Sequence, residues 1–197
     1  MDNRAITDSG DRREMSLLAA GDGSALDRLM DRHAQRLYHY LLRLLQNEAA
    51  AEELAQETFV RVFCNANRFD PDRSFSSWLY TIATNLVRDS ARRQARHPQI
   101  SFDAQLNDDG ASLRDALPSQ NPSPADHASA QERAQAVRHA IDQLPEDLRL
   151  ALVLSEYEAL SHAEIAAIMG GTPKAVEMRL YRARQSLRQS LAHLVDS

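Results

Sequence analysis

Residues 161–194 read SHAEIAAIMGGTPKAVEMRLYRARQSLRQSLAHL, and the rest of the chain is organised around them. Ser161 followed by Glu164 is a capping box that starts a short apolar helix. Gly170-Gly171 supplies residues able to enter the left-handed region and stop that helix. Thr172 then caps a second helix, and Pro173 suits its first position, where no amide donor is needed. Val176, Leu180, Ala183, Leu187, Leu191 and Leu194 form one apolar stripe on a helix expected to run about six turns. Lys174, Met178, Tyr181, Arg182 and Gln185 fall on the opposite side, with Glu177 and Arg188 on the flank. Two amphipathic helices joined by Gly-Gly also make an ordinary helical hairpin. Charge favours the other reading: residues 174–188 carry five cations against Glu177 alone, a net of +4 in a chain of net charge -5. A short capped helix, a glycine turn and a long basic helix make a helix-turn-helix able to lay its second helix in a major groove.

The chain has 197 residues, 43% hydrophobic and 26% charged, within the range of a soluble protein of one or two small domains. Helical periodicity runs through nearly all of it, and alternating β-branched runs are missing, so the expected fold is all-α. The single cysteine excludes an internal disulfide framework and a cysteine-rich metal site. Cys64 is expected to be a small buried residue beside Phe63. No apolar run is long enough to cross a bilayer, and the polar residues 1–12 are expected to be a flexible N-terminus and no signal peptide. A cytoplasmic protein without direct membrane insertion follows. No phosphate-cradling glycine loop, paired-carboxylate site or nucleophile-base arrangement is present, so no catalytic residue, metal or cofactor is expected.

Helical patterns divide the chain into two units. In the first, residues 13–97, a short helix spans Arg13–Ala20 and a longer one is capped by Ser24. His33 lies on the apolar stripe of that longer helix and reads as a packed core histidine. Asn47 caps a third helix whose apolar side includes Leu54, Phe59, Val62 and Phe63. Its other side carries Glu48, Glu52, Glu53, Gln56, Glu57 and Arg61, which is either a solvated face or a docking surface for a basic partner. A loop containing FDPDRS leads to Ser74, the cap of a fourth helix. There Trp78, Leu79, Ile82 and Leu86 share one side and Thr81, Asn85, Arg88 and Arg92 another. Residues 88–96 hold four arginines and Asp89, which suits a surface that tracks a nucleic-acid backbone beside one base-reading residue.

Residues 98–127 are rich in Pro and Asp and read as an acidic, flexible linker with ends on the order of 30 Å apart. Residues 128–197 return to helical periodicity and form a second unit of about four helices that ends in the helix-turn-helix.

Taken together, AGDGSALDRLMDRH at 20–33, AEELAQETFVRVF at 51–63 and FSSWLYTIATNLVRDSARR at 75–93 resemble the first domain of bacterial sigma factors of the extracytoplasmic-function group. LPEDLRLALVLSEYEALSHAEIAAIMGGTPKAVEMRLYRARQSL at 144–187 resembles their second domain. The resemblance implies promoter-specific transcription initiation, with RNA polymerase core and promoter DNA as partners. Glu52, Glu53, Gln56 and Glu57 match the surface that docks on polymerase. The FDPDRS loop matches the element that captures a flipped base of the minus-ten element. Thr81, Asn85, Arg88, Arg92 and Arg93 match positions on that strand. Lys174, Glu177, Met178, Arg179, Tyr181 and Arg182 lie on the helix that meets the minus-thirty-five element. Many members of the group are held inactive by an anti-sigma protein, a partner the resemblance leaves open for this chain.

Three departures stand out. Ala159 occupies a position where the group more often has Gly. The turn reads GGTPKAV where a pattern such as Gly-Thr-Val is commoner. Glu177 stands where a basic residue is frequent, and a carboxylate would accept from a cytosine amino group. A stand-alone helix-turn-helix regulator is the alternative function, and a protein-binding helical module a third. A regulator would bind its duplex site alone, whereas a sigma factor needs polymerase.

Overall fold

The computed structural model describes residues 3–96 and 124–192, and every regular element among them is helical. The first unit comprises α1 (Asn3–Ala19), α2 (Ser24–Leu45), α3 (Glu48–Cys64), a 3₁₀ turn (Ala66–Arg68) and α4 (Phe75–Arg96). The second comprises α5 (Pro124–Asp142), α6 (Glu146–Glu156), α7 (His162–Met169) and α8 (Pro173–Ser190).

Local chemistry sets most boundaries. Asn47 accepts from the Ala50 amide at 2.9 Å and starts α3. Ser74 accepts from Ser77 at 3.2 Å and starts α4. At α2 the expected cap moves by one residue. Gly23 is the N-cap without a side-chain bond, and Asp22 accepts from the Ser24 amide at 3.0 Å. The hydrogen bond from the Ser24 hydroxyl holds the Asp22 carboxyl below its ordinary pKa. The second helix ends on Gln46 at φ 50°, a left-handed cap filled by glutamine.

Two expected segment boundaries need correction. Residues 3–12, expected to be flexible, belong to α1. The reason is tertiary and polar. Asp11 is buried against α2, with its carboxylate 2.9 Å from Arg32 Nε and 2.8 Å from His33 Nε2. Glu14 pairs with Arg28 at 2.7 Å. These partners lie 14 to 22 residues away, so apolar periodicity does not reveal them. The helix of the second unit likewise begins at Pro124, four residues inside the expected linker. Proline fits the first turn of a helix, so its presence there does not mark irregular chain. Residues 97–123, which hold most of the expected linker, lie outside the described residues, as does Leu194 of the apolar stripe.

Leu29, Leu37, Leu41, Leu54, Phe75, Leu79 and Leu86 fill the first unit. Leu150, Leu154, Ile165, Val176 and Leu180 fill the second, and one buried cluster runs through both. α7 packs on α4 and α6 on α2. A satellite cluster of Ile141, Leu144, Leu152 and Ala183 ties α5 to α6 and α8. The two helical units expected from sequence therefore meet along a broad face.

Candidate nucleic-acid and polymerase-binding surfaces

The helix-turn-helix is assembled by local bonds. The Ser161 hydroxyl accepts from the Glu164 amide at 3.3 Å, and the Ser161 amide donates to Glu164 Oε2 at 2.8 Å. Gly170 and Gly171 have φ of 72° and 157°, within the region that glycine enters freely. Thr172 then accepts from Ala175 at 3.2 Å, with Pro173 opening α8. Val176, Leu180 and Ala183 are buried beneath the helix. Lys174, Glu177, Met178, Tyr181 and Arg182 are exposed, with Tyr181 at 62%. An exposed Tyr and Met beside cations suit base edges and phosphates better than bulk water.

The cations of α8 are not equivalent. Arg179 is half-buried, and its guanidinium lies 3.7 Å from Asp147 of α6. Arg184 pairs with Glu156 at 2.7 Å. Lys174 pairs with Glu177 at 2.9 Å, and that hydrogen bond lowers the Glu177 pKa. Arg179, grouped with the outward residues on sequence, therefore faces its own domain.

On α4, Trp78 is half-buried and packs at a tilt against Phe69 and Phe75, with centroid distances of 5.3 and 6.3 Å. Its remaining surface joins Arg61, Asn65, Arg68, Ile82 and Asn85 around a shallow concavity of about 270 Å³. Asn85 is exposed at its rim. Thr81 donates to the Ser77 carbonyl at 2.7 Å within its own helix. Arg92 lies 3.2 Å from Asp89, and Arg93 donates to the Asp89 carbonyl at 3.4 Å. Arg88 is turned toward the second unit: Nη1 donates to the Met169 carbonyl at 3.3 Å, and Nη2 lies 3.6 Å from Asp147. The structure thus gathers Asn85 with Arg61 of α3 and with Asn65 and Arg68 just after it, residues the sequence reading did not connect to it, and directs Arg88 away from them.

Glu52, Glu53 and Gln56 are exposed on α3, and Glu57 is half-buried with Arg61 at 2.8 Å. The same side continues into Val60 and Phe63, each 54% exposed. Phe63 was expected on the buried face and Cys64 beside it in the core; both are exposed. Phe59 and Val62 already fill the inner face, so the doublets Phe59-Val60 and Val62-Phe63 offer more apolar residues than one face holds. That doubling was the available sign of a second apolar surface. His33, by contrast, is buried against Phe75 as a core residue, with ring centroids 5.0 Å apart. Among the described residues no group of His, Cys, Asp and Glu could hold a metal, and no helix is long and apolar enough to cross a membrane.

The sigma-70 region 2 family matches residues 29–97, and the sigma-70 region 4 family matches residues 134–187. The chain is 31% identical over 184 residues to the ECF RNA polymerase sigma factor SigW of Bacillus subtilis, a match covering 93% of this chain and 97% of that one. It is 37% identical over 177 residues to the ECF RNA polymerase sigma factor SigE of Mycolicibacterium smegmatis, covering 88% of this chain and 65% of that longer protein. A solved structure of CnrH in complex with the cytosolic domain of CnrY superposes with a TM-score of 0.66 at 28% identity, covering 95% of this chain and 97% of that one. The chain belongs to the RNA polymerase sigma factors of the extracytoplasmic-function group.

Proposed function

We propose that this sigma factor reads a promoter with two separate faces and contributes no catalytic step. The exposed face of α8, with Lys174, Glu177, Met178, Tyr181 and Arg182, enters the major groove of the minus-thirty-five element. The concavity bounded by Trp78 and Asn85 receives a base extruded from the minus-ten element, whose unstacking costs a few kcal/mol. Arg88, Arg92 and Arg93 hold the backbone beside it. Glu52, Glu53, Gln56 and Glu57 dock on polymerase core, and Val60 and Phe63 extend that contact with apolar area. The two DNA contacts, each modest alone, raise each other's effective concentration through the segment that joins them. The protein works where polymerase works, in the cytoplasm. A protein domain bound to the similar CnrH supports a protein partner besides polymerase here.

The observation that carries this reading is the exposure of an aromatic and cationic face on α8, opposite a fully apolar one. Transcription by polymerase core plus this chain on a pool of random promoters tests it. Enrichment of one upstream and one downstream element is expected. Tight binding to a duplex site without polymerase would favour the stand-alone regulator instead. A Glu52, Glu53, Glu57 triple substitution to Lys should weaken capture of polymerase core and leave the circular dichroism spectrum unchanged.

A further inference from the structure

Glu177 is the only carboxylate of α8, and every other charge on that helix is positive. A carboxylate among DNA phosphates is repelled, and one set against base edges without a donor loses its water without replacement. Glu177 nevertheless stands exposed in the amino-terminal part of α8, the part from which a recognition helix reaches base edges. Its place there calls for a base that donates. Its neighbour is fixed as well. Lys174 Nζ donates to Glu177 Oε2 at 2.9 Å, and the two side chains are 74% and 54% exposed. That hydrogen bond lowers the Glu177 pKa, so the group is ionised and only accepts. Lys174 keeps two further N–H groups and only donates. The two side chains therefore present an acceptor and a donor one hydrogen bond apart.

The major-groove edge of a base pair offers the matching arrangement. In C·G the cytosine N4 amino group donates and guanine O6 accepts, and the Watson–Crick bond between them sets them about 2.9 Å apart. Each keeps a hydrogen or a lone pair directed into the groove. Glu177 over N4 and Lys174 over O6 satisfy both, and guanine N7 beyond O6 takes a second Lys174 hydrogen. A·T with adenine under Glu177 also sets a donor beside an acceptor, N6 beside O4. It fits less well at both ends, because adenine N7 turns a lone pair toward the carboxylate and the thymine methyl blocks the ammonium. In G·C and T·A the order is reversed, so like meets like at both positions. C·G ranks first, A·T next and the two reversed pairs last.

We propose that Lys174 and Glu177 act as one unit that specifies a single C·G pair in the upstream promoter element, with cytosine on the strand beneath Glu177. This deepens the major-groove reading of α8 given above and rests on it. Tyr181 and Arg182 lie further along the same helix, so the C·G pair belongs to the part of the element met by the start of α8. A neutral pair adds no net attraction to phosphate, so its contribution is read in base choice and not in salt dependence.

The test captures duplex oligonucleotides, randomised across the upstream element, on the full chain with and without polymerase core, and sequences the bound pool. Transcription from the same randomised promoters is read in parallel. The parent should enrich C·G over G·C at one position on the order of tenfold. Glu177→Gln supplies a donor beside an acceptor, the set that pairs with adenine N6 and N7, and should move the preference there to A·T. The exchange of Lys174→Glu with Glu177→Lys keeps the net charge and the i,i+3 ion pair and sets a donor where the acceptor was. It should turn C·G into G·C at the same position. Both side chains are exposed, and circular dichroism serves as the fold control. A parent pool without an enriched C·G, or a preference that stays unchanged in both variants, would overturn the proposal and leave Lys174 and Glu177 as a solvated ion pair. A C·G preference that switches in the capture arm while transcription with polymerase core is absent would sink the functional reading and uphold the pair.

Discussion

Helices α4 and α8 are built alike and stand differently. Each carries arginines on one side and a buried apolar stripe on the other. On α8, Tyr181 and Arg182 project from a helix whose start is fixed by Thr172 and Pro173, bonds made within a few residues. On α4, Asn85 borders a concavity completed by Arg61, Asn65 and Arg68 from α3 and the turn after it, while Arg88 is drawn toward α6 and α7. One face is a property of a motif; the other is a property of an assembly. A helix presents its cations to a ligand only where its own fold leaves them unclaimed.

The buried side of α8 gives the largest effect. Leu180 is 1% exposed, and Leu180→Ala should cost about 2–5 kcal/mol of unfolding free energy. Met178 lies two residues away on the opposite side, and Met178→Ala should change stability by under about 0.5 kcal/mol. Urea denaturation measures both. Similar losses in the two variants would mean that Met178 is covered in solution, and the free face assigned to α8 would go with it.

Next come Arg179 and Arg182, which compare a claimed cation with a free one on the same helix. Arg182→Ala should lose about 1–3 kcal/mol of transcription free energy on promoters with the cognate upstream element, and little where that element is scrambled. Arg179→Ala should lower stability through its lost packing and its contact near Asp147, without a template-dependent change. The reverse pattern would reassign base reading to Arg179.

Asn85 offers a smaller effect and tests the assembled face. An asparagine with one acceptor and two donors can pair with an extruded base, a net contribution of about 0.5–1.5 kcal/mol. Asn85→Ala should slow opening on duplex promoters, seen by permanganate reactivity. On a template already mismatched at the minus-ten element most of that defect should vanish. A base preference at one position should weaken in both settings. Wild-type opening together with an unchanged preference would leave Asn85 as a solvated residue on a basic helix.

What could be read from sequence follows the same division. The capping box at Ser161, the glycine turn, Thr172, the stripe of α8 and the cap at Asn47 involve partners within four residues, so each is written locally. Asp11, Glu158 and Arg88 act through residues 22, 78 and 81 positions away, and none of these pairings leaves a periodic trace. Phe63 and Cys64 failed for a related reason: hydrophobicity says that a residue prefers burial, and only the assembled α3 says that the inner face is already full. The all-α class, the two units and the helix-turn-helix were legible. The broad contact between the units was not.

The smallest effect lies in the turns flanking α7, where local rules can be checked against each other. Gly170, after the helix, has φ 72°, and an added Cβ there would meet no atom within 4 Å. Ala159, before the helix, has φ 52°, a left-handed conformation that costs an L-residue roughly 1–2 kcal/mol. The sequence thus places glycine at one left-handed position and alanine at the other, directly beside the buried Glu158. Ala159→Gly relieves the strain but adds freedom to the unfolded chain, so the net gain should be about 0.5–1 kcal/mol. Gly170→Ala should lose about 1 kcal/mol, and that loss is purely conformational because the space is open. Opposite signs in urea titrations of the two variants are expected. A loss from Ala159→Gly would mean that this turn is not left-handed in solution, and the presentation of Glu158 to Tyr80 would need another origin.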